Sequence, residues 1–248
     1  MFWFPKKKIV LDCFTDDPAV FDFAQPKHAA SAMPQWWKDL PKDVESPGHL
    51  QRMPTVKRCP GVHDMVKHSI AVPMWCDLAV ELGPIGTTHY RYQFSGSGAP
   101  MVEHPPPQRG EYLPNTHYQH IKIVSLWKFK CKEEIPWMLT QATWAFEHPD
   151  EVFIPPAVMD FKHQADVNFN AFFTRKPEAY VQNIPYAQPM IYVTPLSDRG
   201  VDMRTHLVTK DELETMSRGA RIKFLNNYQT IRKVTAANES KCPFGFGG

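Results

Sequence analysis

The sequence predicts a mainly β fold: an antiparallel β-sandwich or open barrel with long proline-rich loops and a C-terminal helix. Apolar and polar residues alternate in several extended segments, as they do in strands that bury one face. Proline makes up 24 of the 248 residues and is dispersed along the chain, which favours short strands with rigid connections. The pattern shows no repeated strand–helix–strand order, and this disfavours an α/β fold.

The clearest strand pattern lies in residues 66–82, VKHSIAVPMWCDLAVEL. We expect one long strand there, because every second residue can point into a dry interior. Residues 8–14 predict a first strand, and residues 61–68 predict a short helix. Residues 29–40 predict another short helix. Pro34 is acceptable there if it lies near the start of the helix, and otherwise it breaks the helix. The residues of the buried face in the long strand are Ile70, Val72, Met74, Cys76, Leu78, Val80 and Leu82.

The rest of the chain continues the strand pattern and then changes period. Residues 120–130 and 136–146 alternate on either side of a turn, which predicts an antiparallel pair. Thr209, with Glu212 three residues later, predicts the start of a C-terminal helix over about 209–234. Loops are expected at 41–58 and 95–116, a turn at 83–86, and further strands at 89–94, 152–162 and 166–174 and twice within 180–196.

Length and composition predict a single β-rich domain over residues 1–240, with an N-terminal arm at 1–58 and a tail at 241–248. With 43% hydrophobic residues the chain can bury a sizeable core. The net charge is +2 and the basic groups are not interleaved with a dense set of aromatic residues, so a nucleic-acid partner is disfavoured. No apolar run approaches the ~20 residues of a membrane span, and we expect no membrane partner. The five cysteines have long spacings without a secretory signal, which predicts free thiols in a reducing cytosol.

Histidines around the longest loop are the first candidates for chemistry. His117 and His120 form an HxxH motif, His104 lies in the loop before it and His163 lies on a later strand pair. A β-barrel that gathers imidazoles can hold one divalent metal, such as non-haem iron or zinc, as in a cupin-like enzyme. However, HxxH on a strand places its two side chains on opposite faces. No cofactor is therefore favoured, and the metal site stays the alternative.

Other catalytic patterns are weaker. His148-Pro149-Asp150 is an HxD motif, with His206 and Arg218 downstream in the order used by 2-oxoglutarate oxygenases, but its Pro-Asp pair predicts a turn. Cys59 and His63 lie four residues apart, but a nucleophilic cysteine–histidine pair also needs a third group and an oxyanion donor, and the sequence identifies neither. The chain contains no nucleophile elbow, P-loop or dinucleotide-binding glycine motif. No catalytic residue is predicted.

The adjacent Trp36 and Trp37 are candidate partner-binding residues. Two neighbouring indoles cannot both point inward from one extended segment. One of them is therefore free to anchor a partner, since tryptophan is enriched at the centres of interfaces. Residues 99–116 form the other candidate contact surface, because long loops within compact domains are often functional.

The N-terminus reads MFWFPKKK, residues 34–41 read PQWWKDLP, CPG at 59–61 precedes the segment IAVPMWCDLAVEL, and residues 242–244 read CPF. These segments resemble uncharacterised proteins of T4-like marine phages. The middle of the chain, from HIKIVSLWKFK to YAQPMIYVTPL, is similar to a wider phage and bacterial family of unknown function. The resemblance implies a phage product in the host bacterial cytoplasm, with incorporation into the virion as a further expectation. It implies no activity and no catalytic residue.

Two classes of function follow from the sequence. The first is a phage-encoded, non-enzymatic binding or virion-associated protein with a phage or host protein as its partner; the chain could also form a homo-oligomer. The second is a cupin-like metal-dependent enzyme that uses the histidines named above. The missing catalytic motifs favour the first class.

Overall fold

The computed structural model describes residues 6–45, 52–96, 101–103, 112–146 and 151–221. The predicted fold class is confirmed: the chain is mainly β, its sheets are largely antiparallel and a helix follows the last strand. No sheet closes on itself among the described strands, which fits a sandwich. No helix in these ranges is long and apolar enough to cross a membrane.

Sixteen strands and four α-helices follow one another along the described ranges. In chain order they are β1 (Ile9–Thr15), α1 (Pro18–Phe23), β2 (Lys27–His28), α2 (Gln35–Asp39), β3 (Asp43–Val44), β4 (Met53–Pro54), α3 (Pro60–His68), β5 (Ile70–Pro73), β6 (Leu78–Leu82), β7 (Tyr90–Phe94), β8 (Met101–Glu103), β9 (Tyr118–Lys130), β10 (Pro136–Gln141), β11 (Val152–Phe153), β12 (Ala157–Asp160), β13 (Asp166–Thr174), β14 (Tyr180–Ile184), β15 (Pro189–Pro195), β16 (Val201–Leu207) and α4 (Lys210–Arg221). Short 3₁₀ turns lie at Ala29–Ala32 and Val56–Arg58.

Three sheets carry the fold. The first has the order β11-β13-β9-β1-β16, with β8 also paired to β9. The second has the order β12-β10-β15-β5-β2, and the third is β14-β6-β7. Strands β1 and β16 pair in parallel, with Ile9 opposite Val201, whereas the other pairs are antiparallel. Strand β1 thus places part of the predicted N-terminal arm inside the first sheet.

The core lies where the sheets face one another. One hydrophobic cluster joins residues of all three sheets, from Ile9 to Val201. Trp127 of β9 and Trp137 of β10 are fully buried in it. The indole Nε1 of Trp127 donates to the carbonyl oxygen of Ala24 at 2.8 Å, so its polar atom is paired, as burial requires.

The single long strand predicted over 66–82 is wrong in its extent. Residues up to His68 belong to α3, and the remainder divides into β5 and β6, which lie in different sheets. Pro73 ends β5 because it has no N–H for the ladder, and residues 74–77 turn the chain. The predicted buried face is confirmed except at Cys76, which is partly buried. Strand β5 is buried on both faces, so its burial does not alternate.

The predicted antiparallel pair of 120–130 and 136–146 is also different in the structure. The two segments form β9 and β10, but β9 pairs with β13 and β1, whereas β10 pairs with β12 and β15. The connection between them therefore passes from one sheet to another instead of forming a hairpin. Its backbone is fixed by Cys131, whose N–H donates to the carbonyl oxygen of Phe161 at 3.2 Å.

The helices agree with the sequence prediction only in part. Pro34 ends the predicted 29–40 helix, leaving a 3₁₀ turn before it and α2 after it. Helix α4 begins after Thr209 as predicted, and its end beyond Arg221 lies outside the described residues. Helix α1 was not predicted, although Asp17 caps it by accepting from the N–H of Ala19 at 2.8 Å.

Arg175 holds several loops together from a buried position. Its guanidinium donates to the carbonyl oxygens of Asn115, Gly83 and His89 at 2.8, 3.1 and 2.7 Å. A fourth bond, of 2.9 Å, reaches the side-chain oxygen of Gln119. Burial lowers the pKa of Arg175. These contacts connect the β6–β7 turn to the start of β9.

Candidate functional site

Trp36 and Trp37 take opposite roles on the short helix α2. Trp36 is 49% exposed, whereas Trp37 is 7% exposed. Their ring centroids lie 5.6 Å apart at an interplanar angle of 76°. Consecutive residues of a helix point about 100° apart, so a helix beginning after Pro34 sends one indole inward and the other outward.

Trp37 anchors α2 to the body of the protein. Its ring lies 5.9 Å from that of Trp144, and it belongs to a second buried cluster that includes Met33, Val66 and Tyr192. Burial raises the pKa of Tyr192 to about 12. This packing fixes α2 and thereby fixes the direction of Trp36.

Trp36 borders a surface depression of about 470 Å³. A second depression, of about 110 Å³, adjoins it. The two share Ala32, Ala187 and Pro189 in their walls, and we treat these adjoining depressions as one groove. We call this surface the aromatic groove, after the three exposed aromatic rings along it: Phe23, Trp36 and Tyr186.

The turn between β14 and β15 positions Tyr186 in this groove. The Tyr186 hydroxyl donates to the carbonyl oxygen of Phe23, and its backbone N–H donates to Oδ1 of Asp77 at 2.7 Å. Ala187 takes a positive φ of 63°, a left-handed conformation that costs free energy for alanine. Its N–H donates to the carbonyl oxygen of Met74 at 3.0 Å. The turn is therefore held by bonds to distant segments.

The described lining of the aromatic groove carries little charge. Lys27 is its one charged side chain, and the other lining residues are apolar, small or neutral polar. Gln188 is buried and uses its side-chain amide to donate to the carbonyl oxygen of Ala145 at 2.7 Å. Proline is frequent along the lining, at Pro34, Pro73, Pro185 and Pro189. The described lining therefore offers mainly apolar contacts to a ligand.

The histidines predicted as metal ligands lie at different places. His117 is exposed and forms a hydrogen bond with Thr116 at 3.1 Å. His120 is buried and stacks on Phe172, with ring centroids 4.3 Å apart. His163 lies near the other end of β9, roughly 30 Å along the strand at ~3.3 Å per residue. The structure thus does not bring these three together, and His104 lies outside the described residues.

His163 instead lies between two carboxylates. Its Nε2 is 3.9 Å from Oε2 of Glu134 and 4.0 Å from Oδ2 of Asp160. The three ligand atoms all lie within 4.8 Å of one another. The His163 side chain is 2% exposed, whereas that of Glu134 is 40% exposed. We call Glu134, Asp160 and His163 the carboxylate–imidazole cluster.

Two turns build this cluster. Glu134 lies in the turn between β9 and β10, and His163 lies in the turn that follows β12. Asp160 ends β12, where it pairs with Pro136 of β10. The Cys131 thiol lies beside the cluster, and burial raises its pKa, to which the negative charges of Glu133 and Asp160 add.

The remaining sequence candidates are accounted for by local contacts. His63 donates to the carbonyl oxygen of Lys57 at 2.5 Å, and Cys59 is exposed and free. His206 donates to Oδ1 of Asp12 at 2.8 Å. The HxD motif at 148–150 and the side chain of Arg218 lie outside the described residues. Asp166, close to His163 in sequence, pairs with Lys128 at 2.5 Å.

Sequence reasoning missed Phe23 and Tyr186 in the groove and Glu134 and Asp160 in the cluster. The spacing of Asp160 and His163, three residues apart, was a usable signal, because a turn places such residues side by side. Glu134 carried no such signal. Comparisons of the chain with protein-family models, curated proteins and solved structures found no match.

Proposed function

We propose that this chain is a non-enzymatic binding protein whose aromatic groove binds an extended, proline-containing segment of a partner protein. One observation carries the proposal: Phe23, Trp36 and Tyr186 expose their rings along this groove. Large exposed apolar patches on a folded protein often mark interaction sites. Tryptophan and tyrosine are also the residues that most often dominate binding energy at interfaces.

The chemistry of the groove favours proline in its occupant. Proline-rich segments adopt the polyproline II helix without internal hydrogen bonds and dock on grooves lined by aromatic rings. Because that helix is already formed before binding, little conformational entropy is lost. The described lining has one charged residue, Lys27, so apolar contact would supply most of the affinity.

The groove is also preorganised. Trp37 fixes α2 through its contact with Trp144, and the Tyr186 turn is bonded to Phe23 and Asp77. Rigid aromatic side chains lose few rotamers on binding. These features support a binding surface that forms before its partner arrives.

The source of the partner rests on the resemblance to phage proteins. We propose a phage or host protein as the partner, within the host bacterial cytoplasm, with incorporation into the virion as the further possibility. Mass spectrometry of purified virions would separate the two locations, because a virion component gives peptides of this chain in stoichiometric amount.

The binding test uses fluorescein-labelled decaproline, with a glycine–serine decapeptide as the reference probe. We expect wild-type protein to raise the fluorescence anisotropy of decaproline alone. Trp36→Ala and Tyr186→Ala should each weaken binding by about tenfold or more, as removal of a central anchor does. Tyr92→Ala is the matched control, because Tyr92 is 46% exposed and Tyr186 42%, but Tyr92 lies on β7 outside the groove.

Equal binding of both peptides, or equal loss in Tyr92→Ala and Tyr186→Ala, contradicts the proposal. Self-association that Trp36→Ala abolishes also overturns it, because the occupant would then be a second copy of the chain. Analytical ultracentrifugation over a concentration series measures that outcome.

A further inference from the structure

We propose that Glu134, Asp160 and His163 form a binding site for one divalent transition-metal ion. The carboxylate–imidazole cluster differs from the alternative metal site suggested by the sequence, of whose four candidate histidines it contains only His163. It also lies apart from the aromatic groove, whose described lining includes none of these three residues.

The spacing of the ligand atoms fits an ion between them. The distances from His163 Nε2 to the two carboxylate oxygens are 3.9 and 4.0 Å, and the third side of the triangle is at most 4.8 Å. A point equidistant from the corners of such a triangle lies about 2.5 Å or less from each, close to the bond lengths of divalent cations. An ion can therefore enter with small side-chain movements.

The types of ligand indicate the class of ion. An imidazole nitrogen suits zinc and iron, whereas carboxylate oxygens also suit manganese. Two carboxylates balance the two positive charges of the ion if the imidazole binds in its neutral form. Magnesium and calcium prefer all-oxygen sites. The set therefore favours Zn²⁺ or Mn²⁺ over the alkaline-earth ions.

Asp160 is oriented for this role by its own turn. Its Oδ1 accepts the backbone N–H of Lys162 at 2.9 Å, which leaves Oδ2 directed at His163. The backbone carbonyl of Asp160 also accepts the N–H groups of His163 and Gln164, at 3.2 and 3.0 Å. A ligand that is itself hydrogen-bonded holds its direction, as the supporting groups around metal sites do.

The two turns that carry the ligands are bonded to each other. The backbone N–H of Cys131 donates to the carbonyl oxygen of Phe161 at 3.2 Å, and the backbone N–H of Phe129 donates to that of Ala165 at 2.8 Å. Buried His163 and Asp160 therefore form a fixed pair, and the half-exposed Glu134 provides the movable third ligand at the solvent side. Solvent water can fill the remaining coordination positions.

The test is isothermal titration calorimetry of full-length protein, first dialysed against chelator, with ZnCl₂ and separately with MnCl₂. We expect one ion per chain. Glu134→Gln keeps the shape of an exposed side chain and should reduce the affinity by about tenfold or more, since it removes a ligand. His163→Gln should abolish binding at this site, and circular dichroism would check that both variants fold.

His206→Gln is the matched control, because it removes an imidazole that pairs with the single carboxylate of Asp12. Its binding should equal that of wild type. A crystal soaked in Zn²⁺ should show an anomalous peak between Glu134, Asp160 and His163. Absence of binding by wild type, or unchanged affinity in folded Glu134→Gln and His163→Gln, would show that the cluster is an ion pair without a metal-binding role.

Discussion

The guanidinium of Arg175 donates to the side-chain oxygen of Gln119 at 2.9 Å, and both residues are buried. The other bonds of Arg175 go to backbone carbonyl oxygens. Its positive charge is thus solvated by neutral dipoles of the β6–β7 turn, of the loop before β9 and of a side chain on β9 itself. The alignment of those loops depends on one planar, five-donor side chain.

Arg175→Lys is therefore expected to lower the free energy of unfolding by about 3 kcal/mol, because a lysine cannot reach all four acceptors and leaves buried oxygens unpaired. Urea denaturation followed by circular dichroism measures the change. Arg204→Lys is the control, since Arg204 pairs with Asp202 at the surface and such pairs contribute about 1 kcal/mol or less. Similar losses in the two variants would contradict the role of Arg175.

The two tryptophans of α2 should differ in how much their substitution lowers the free energy of unfolding. Trp37→Ala is expected to cost about 3–5 kcal/mol, as truncation of a buried aromatic side chain does. Trp36→Ala should cost under about 1 kcal/mol, since its ring is half exposed. Chemical denaturation of both variants decides this. A large loss of stability in Trp36→Ala would mean that its ring supports the fold. Tyr186→Ala would then replace Trp36→Ala as the variant in the peptide-binding test.

Tyr192 predicts a stability change at alkaline pH. Its pKa is raised from 10.0 to about 12 by burial, so the folded state retains the phenol proton that the unfolded state loses. The associated stability is complete below pH 10 and is lost as the pH rises through 12. Two pKa units correspond to about 2–3 kcal/mol.

Tyr192→Phe should remove this pH dependence. We expect a smaller loss of unfolding free energy between pH 9 and pH 12 than in wild type, although the variant also loses the 3.5 Å hydrogen bond to the sulfur of Met33. Parallel titration curves for the two proteins would contradict the assignment. Tyr112→Phe, at an exposed tyrosine, controls for tyrosine ionisation in general.

The proposed metal site predicts ligand-dependent thermal stability. Zn²⁺ at a hundredfold excess over its Kd adds about 2.7 kcal/mol to a protein that binds it only when folded. For a chain of this size the Tm should rise by roughly 5–10 °C. Differential scanning calorimetry should show this rise in wild type and His206→Gln. The same rise in Glu134→Gln would place the ion elsewhere.

The sequence predicted many individual strands but not which strands would pair. The alternation in residues 70–82 correctly identified Ile70, Val72 and Leu78 as buried, because side-chain period depends on local geometry. Whether β5 and β6 continue as one strand depends on their pairing partners, which are β15 for β5 and β14 for β6, in different sheets. Partner choice over such separations is decided by the whole core rather than by any one segment.

The candidate sites were predictable only in part, for a related reason. Trp36 and Trp37 were both candidates because two adjacent indoles cannot share one interior, and in the structure Trp36 is the exposed one whereas Trp37 is buried. Phe23 and Tyr186 join it through a turn in which Ala187 has a left-handed conformation, which its sequence does not indicate. His163 was one of the candidate ligands, but its neighbours Glu134 and Asp160 are brought to it by hydrogen bonds between two turns.

The parallel pairing of β1 with β16 has a consequence for how the protein is made. Strand β1 emerges from the ribosome before β16, and the Val201 partner of Ile9 is synthesised about 190 residues later. Until then the outer edge of β1 has unpaired amide groups that can bind other strands. Nascent chains stalled before β16 should therefore aggregate, whereas chains released after Leu207 can complete the sheet.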